Sequence, residues 1–188
     1  MKRVTFGFVA IWVFTIIAAC GVPAHDSNAE NVSESSGAIV SRDLPLEATV
    51  ISMVRAAMAG RYDVAANFTL PSLAVYAGDG RLVKQIEAVD GLANLSQFLD
   101  SAQAGTFDVV GNPMPFTVLE SVVKEQSQDG NGFGDITGKV ALVLWVSSDN
   151  CTDNCEKFKA AFNAAIRSDP GRYAAIRLSL AKSAEASN

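Results

Sequence analysis

Histidine is almost absent: the 188 residues hold one, His25. A Ser/His/Asp set, a Cys/His protease site or a His-rich metal centre would all have to be built on it. His25 stands beside Asp26 in a polar stretch with no second ligand nearby, so it reads as a solvated bystander. Positive charge is scarce too. Lys and Arg total 15 against 20 Asp and Glu, a net charge of −5, and a nucleic-acid-binding face needs a positive cluster that this balance does not favour. No paired carboxylates for hydrolysis stand out, and Gly130-Asn131-Gly132 is too isolated in its polar loop to cradle a phosphate. What the chain does have is apolar content. At 49% hydrophobic residues it can fill the core of one ordinary domain, which excludes a wholly disordered or fibrous chain.

The N-terminal segment reads as a targeting signal. Lys2 and Arg3 form a basic start, and the apolar run from Val4 to Ala19 is shorter than the about 20 residues a spanning helix needs. The alternative is an uncleaved anchor. Ile17-Ala18-Ala19-Cys20 resembles the bacterial lipobox. That resemblance implies a lipoprotein signal peptide over 1–19 and a lipidated Cys20 as the first mature residue. Gly21 replaces the Asp that resembles inner-membrane retention, so the expected place is the outer membrane, facing the periplasm. Cleavage would remove two basic residues and no acidic one. Cys151 and Cys155 would then remain as the only thiols, in a compartment where disulfides persist, and are read as a pair.

Residues 20–45, rich in Ser, Asn, Glu, Ala and Gly without apolar periodicity, are expected to be a flexible tether. The folded domain is expected over 46–182, with a disordered polar tail at 183–188. Leu46, Val50, Val54 and Ala57 recur at helical spacing up to Gly60. Leu70 to Tyr76 reads as a buried strand starting around Pro71. The Gly78-Asp79-Gly80 turn then leads to the alternating strand Arg81 to Ile86, a hairpin. Leu92, Leu95, Phe98 and Leu99 mark another helix. Phe107 to Val110 is a short strand candidate, and Phe116 to Val123 suggests a helix. Gln126 to Gly138 is loop. The apolar, β-branched run Val140 to Val146 predicts a central strand covered on both faces. A helix carrying Cys155, Phe158, Phe162 and Ile166 follows, and Tyr173 to Leu180 is a further strand. Strand, Cys-bearing loop, helix and strand make a βαβ unit with parallel pairing.

Here the sequence resembles the thioredoxin superfamily. Lys139 to Trp145, followed by Cys151-Thr152-Asp153-Asn154-Cys155-Glu156-Lys157-Phe158, is similar to that family's central strand and redox helix. Tyr173 to Leu180 is similar to the strand after it. Arg61-Tyr62-Asp63-Val64, Leu70-Pro71-Ser72-Leu73-Ala74-Val75-Tyr76, Gly78 to Val83 and the helix to Leu99 resemble its cis-proline strand, closing hairpin and last helix. These come first in the chain, so the resemblance implies an α/β, three-layer α/β/α fold around a central mixed sheet, circularly permuted. The chain would open between Leu180 and Leu46, with the old ends joined around Gln103 to Phe107. The resemblance also makes Pro71, with Leu70, the place where a substrate strand is received.

As i and i+4 neighbours on a helix, Cys151 and Cys155 would have Cα atoms about 6 Å apart, within disulfide range. Cys155 lies on the apolar stripe and Cys151 at the polar helix start, where the dipole favours a thiolate. This makes Cys151 the candidate nucleophile and Cys155 the resolving thiol. Three features depart from the family: a three-residue spacer, Asn150 before the first cysteine, and Leu144 where a buried Asp is common. Asp149 and Asp153 add negative charge near Cys151. Three functions follow. The first is a periplasmic thiol-disulfide oxidoreductase acting on protein thiols or disulfides without a cofactor. The second is a redox-inactive binding lipoprotein with a structural disulfide. The third is a copper-handling module, because CxxxC also resembles the cytochrome-oxidase assembly chaperones. That family adds a distant His, which the folded part lacks, so copper ranks last and no metal ligand is assigned.

Overall fold

The computed structural model describes residues 38–63, 69–134 and 136–182. The expected signal peptide, Cys20, His25, most of the expected tether, Val64 and the tail 183–188 lie outside the described residues. The domain is mixed α/β. Five strands, β1 (Val40–Pro45), β2 (Ser72–Tyr76), β3 (Leu82–Ile86), β4 (Val140–Ser147) and β5 (Tyr173–Ala181), form one sheet in the order β1-β5-β4-β2-β3. β1, β5 and β4 run parallel, while β2 is antiparallel to both β4 and β3. Four α-helices accompany them: α1 (Leu46–Gly60), α2 (Leu95–Ala104), α3 (Phe116–Gln126) and α4 (Asp153–Ser168).

β4 is central because its sequence allows nothing else. All of Val140 to Val146 is buried, and a strand apolar on both sides is stable only with cover on both faces. Alternation divides its side chains. Val140, Leu142, Leu144 and Val146 enter a core with Leu95 and Leu99 of α2 and Cys155, Phe158 and Phe162 of α4. Ala141, Val143 and Trp145 enter another with Leu119 and Val123 of α3, and Met53 of α1 packs against it. The hairpin turn closes as its glycines predict. Gly80 takes φ +83°, and a Cβ on Gly78 would come 2.9 Å from the Gly138 backbone. Asp79 clamps the turn by accepting from the Arg81 N–H at 3.0 Å and its guanidinium at 2.7 Å.

Three expectations are corrected. Residues 40–45, expected to be the end of the flexible tether, form β1, parallel to β5 from Val40 opposite Ile176 to Pro45 opposite Ala181. Its inward positions explain this: Val40 and Leu44 join the core beside α3, and Leu44 is only 2% exposed. The Arg42 guanidinium donates to the Gly132 carbonyl at 2.9 Å. Conversely, Phe107 to Val110 forms no strand. Phe107 instead lies under the Arg81 guanidinium, 4.8 Å from its ring centre, and Val110 is exposed. The Leu92 to Leu99 helix is split into a 3-10 turn over Val89–Asn94 and α2.

Candidate functional site

The parallel strands β4 and β5 end at the same edge of the sheet, and the segment from Ser148 to Thr152 leaves β4 there. The Ser148 N–H donates to the Leu180 carbonyl at 3.0 Å, and the Lys182 N–H donates to Asp149 Oδ2 at 3.1 Å. Hydrogen bonds from the Lys182 N–H and then the Ser148 hydroxyl hold the Asp149 carboxyl below its ordinary value of 3.8. The loop is thereby tied to the end of β5, and the Asp149 carboxylate is engaged there.

Cys151 and Cys155 are joined as a disulfide, with Cα atoms 5.2 Å apart. Cys151 stands outside the helix, before the N-cap Thr152 and the first helical residue Asp153, a correction to the expectation that both lie on the helix. Cys151 is exposed, whereas Cys155 is 2% exposed in the core beside Phe158. This asymmetry follows from the helix. The stripe Cys155, Phe158, Phe162 and Ile166 must face the sheet, so one sulfur is carried inward and the other left at the surface.

Sequence reasoning did not single out Glu156. Its Oε1 lies 3.0 Å from Cys151 Sγ and 3.1 Å from Lys159 Nζ. The i, i+3 spacing of Glu156 and Lys159 and the adjacency to Cys155 were the available signals. Cys151, Cys155 and Glu156 are the one group among the described residues whose donor atoms cluster closely enough for a metal ion, all within 4.8 Å of one another. The disulfide occupies both sulfurs, so they could ligate only after reduction. Two thiolates suit a soft ion such as Cu(I), but no imidazole joins them among the described residues. Leu144, 1% exposed, lies in the same apolar core as Cys155.

Pro71 precedes β2, and the Leu70-Pro71 peptide is cis. Ser72 pairs with Trp145, so continuing the antiparallel register sets Pro71 beside Val146, at the end of β4 from which the cysteine loop departs. Leu70 is half-buried against the core that includes Leu44 and Trp145. No protein-family model, curated protein or solved structure matches the chain.

Proposed function

We propose that this chain is a lipid-anchored periplasmic thiol-disulfide oxidoreductase with a circularly permuted thioredoxin-like domain. The observation that carries the reading is the disulfide between one exposed and one buried sulfur at the start of α4. Such a pair divides the labour of exchange. In the reduced form the Cys151 thiolate attacks a partner's disulfide, one partner thiolate leaves, and a Cys151–partner mixed disulfide forms. The Cys155 thiolate then attacks Cys151 Sγ, releasing the second partner thiolate and closing the internal disulfide. The partner gains two electrons and the pair loses two; the reverse sequence oxidises a partner dithiol. Pro71, at the same end of the sheet, would lie along the bound partner strand.

The order of elements supports the permuted reading. The antiparallel hairpin β2–β3 comes first in the chain and pairs beside β4, while β5 follows α4 and pairs on the other side of β4. β1 adds a strand at the expected opening. Lipid attachment at Cys20 and the outer membrane rest on the lipobox resemblance alone; Cys20→Ala should release the protein from the membrane fraction.

Trapping tests the chemistry. Cys155→Ser should accumulate mixed disulfides through Cys151, and Cys151→Ser should trap little because Cys155 is shielded. A reduction potential between about −270 and −120 mV fits exchange, and one below about −300 mV a structural bridge. A redox-inactive binding domain is the second reading, favoured by the Glu156 carboxylate 3.0 Å from Cys151 Sγ, which opposes a thiolate there.

A further inference from the structure

The loop that carries Cys151 is held by bonds that do not involve its sulfur. The Ser148 N–H donates to the Leu180 carbonyl at 3.0 Å, the Lys182 N–H to Asp149 Oδ2 at 3.1 Å, and the Glu156 N–H to the Thr152 carbonyl at 3.1 Å. Cys155 is fixed by α4, whose stripe with Phe158 and Phe162 packs on the sheet. These bonds do not need the disulfide, so after reduction the two Cα atoms, 5.2 Å apart, stay within reach and the sulfurs part by side-chain rotation. Cys155 is 2% exposed, yet its sulfur faces Cys151, and an ion between the two is reached from the exposed Cys151 side.

Three donors then converge. Glu156 Oε1 is 3.0 Å from Cys151 Sγ, and the donor atoms of Cys151, Cys155 and Glu156 all lie within 4.8 Å of one another. Around a tetrahedral zinc ion, with Zn–S about 2.3 Å and Zn–O about 2.1 Å, donors stand about 3.5–3.8 Å apart. Opening the disulfide to that separation while the carboxylate stays near its present place fills three of the four positions. The fourth faces solvent beside Cys151 and Glu156, both exposed, and takes water. Ligand chemistry selects the ion. A carboxylate beside two thiolates suits zinc, which accepts both sulfur and oxygen, better than Cu(I), which selects soft donors. Two thiolates and one carboxylate exceed the charge of the ion by one, and Lys159 Nζ, 3.1 Å from Glu156 Oε1, offsets it.

We propose that the reduced Cys151 and Cys155 form, with Glu156, a zinc site that the disulfide closes. A dithiol passes two electrons and two protons to the disulfide and becomes a disulfide itself; zinc then displaces the two thiol protons. Oxidation reverses this. A disulfide oxidant takes two electrons from the bound thiolates and two protons from solvent, the internal bridge closes, and the ion is released. The site shares its sulfurs with the proposed exchange but requires only that the disulfide be reducible.

The test uses the full chain carrying Cys20→Ala, so that Cys151 and Cys155 are its only thiols. It is reduced with dithiothreitol, desalted under argon and titrated with zinc chloride against a chromophoric chelator. The expected result is one zinc per reduced chain and none per oxidised chain. Glu156→Gln should weaken binding about tenfold or more and Cys151→Ser about a hundredfold or more, since even partners beyond the ligands are worth about 10–100-fold. Both positions are exposed, so both variants should keep the far-ultraviolet circular dichroism of the parent chain. Cadmium in place of zinc should give an ultraviolet thiolate charge-transfer band that Cys151→Ser lacks. No saturable zinc binding by the reduced chain, equal binding by the oxidised chain, or an affinity unchanged in Glu156→Gln would each overturn the site. Exchange is read separately: a Cys155→Ser chain that traps no mixed disulfide, while the parent binds zinc, removes the oxidoreductase reading and leaves the zinc site standing.

Discussion

The disulfide's contribution to stability can be worked out from two facts, its short span and its unequal burial. Cys151 and Cys155 are separated by 4 positions. On the chain-entropy account so small a loop constrains the unfolded chain by about 2 kcal/mol. For a domain of this size that corresponds to a melting temperature lower by about 8 °C on reduction, at about 4 °C per kcal/mol. Cys151→Ala loses the cross-link and little else, because Cys151 is exposed. Cys155→Ala loses the same cross-link and also empties a site that is 2% exposed beside Phe158, adding about 1 kcal/mol for transfer and cavity. Denaturant unfolding of oxidised wild type, reduced wild type and both variants reads these directly. Reduced wild type should match Cys151→Ala, and Cys155→Ala should lie about 1 kcal/mol below both. Equal losses in the two variants would refute the burial argument. A reduced protein melting within 1–2 °C of the oxidised one, by the scale just used, would refute the entropic one.

Three further outcomes are expected. A chain beginning at Leu46 lacks β1, uncovers the edge of β5 and removes Leu44; it should melt more than about 10 °C below one beginning at residue 38, since Leu44 alone represents about 2 kcal/mol of burial, as differential scanning calorimetry would show. Because the folded-state carboxyl of Asp149 is held low by the Lys182 N–H, its stabilisation is complete above the ordinary value of 3.8 and is lost as pH falls through the depressed one. Asp149→Asn should therefore flatten that part of the acid unfolding curve, followed by circular dichroism between pH 5 and 2 at about half-unit steps. After reduction, Glu156→Gln should speed alkylation of Cys151 at neutral pH by about three- to tenfold, since it removes a negative charge 3.0 Å from the sulfur. An unchanged rate would show that the carboxylate does not hold its place once the disulfide opens.

Much of the domain is written in short-range patterns. The run Val140 to Val146 could only be a strand covered on both sides. The stripe Cys155, Phe158, Phe162 and Ile166 determined both a helix and which cysteine turns inward, and Gly78-Asp79-Gly80 determined a hairpin. Each of these depends on neighbours within a turn or two, where periodicity and backbone preference act directly. β1 was not legible in the same way. Val-Ser-Arg-Asp-Leu-Pro carries little strand signal, and becomes a strand because β5 offers an unpaired edge and the core beside α3 has room for Leu44. Phe107 to Val110 has better strand residues, but the structure pairs it with no strand. The site divides along the same line. The sequence alone determined the candidate pair Cys151 and Cys155 and the contrast in their burial. Only the folded chain decided that Cys151 stands before the helix and that Glu156 reaches its sulfur. Those are meetings between side chains placed by separate elements or by a loop's course, and strand pairing and packing across the sheet depend on which distant surfaces fit, which no local pattern records.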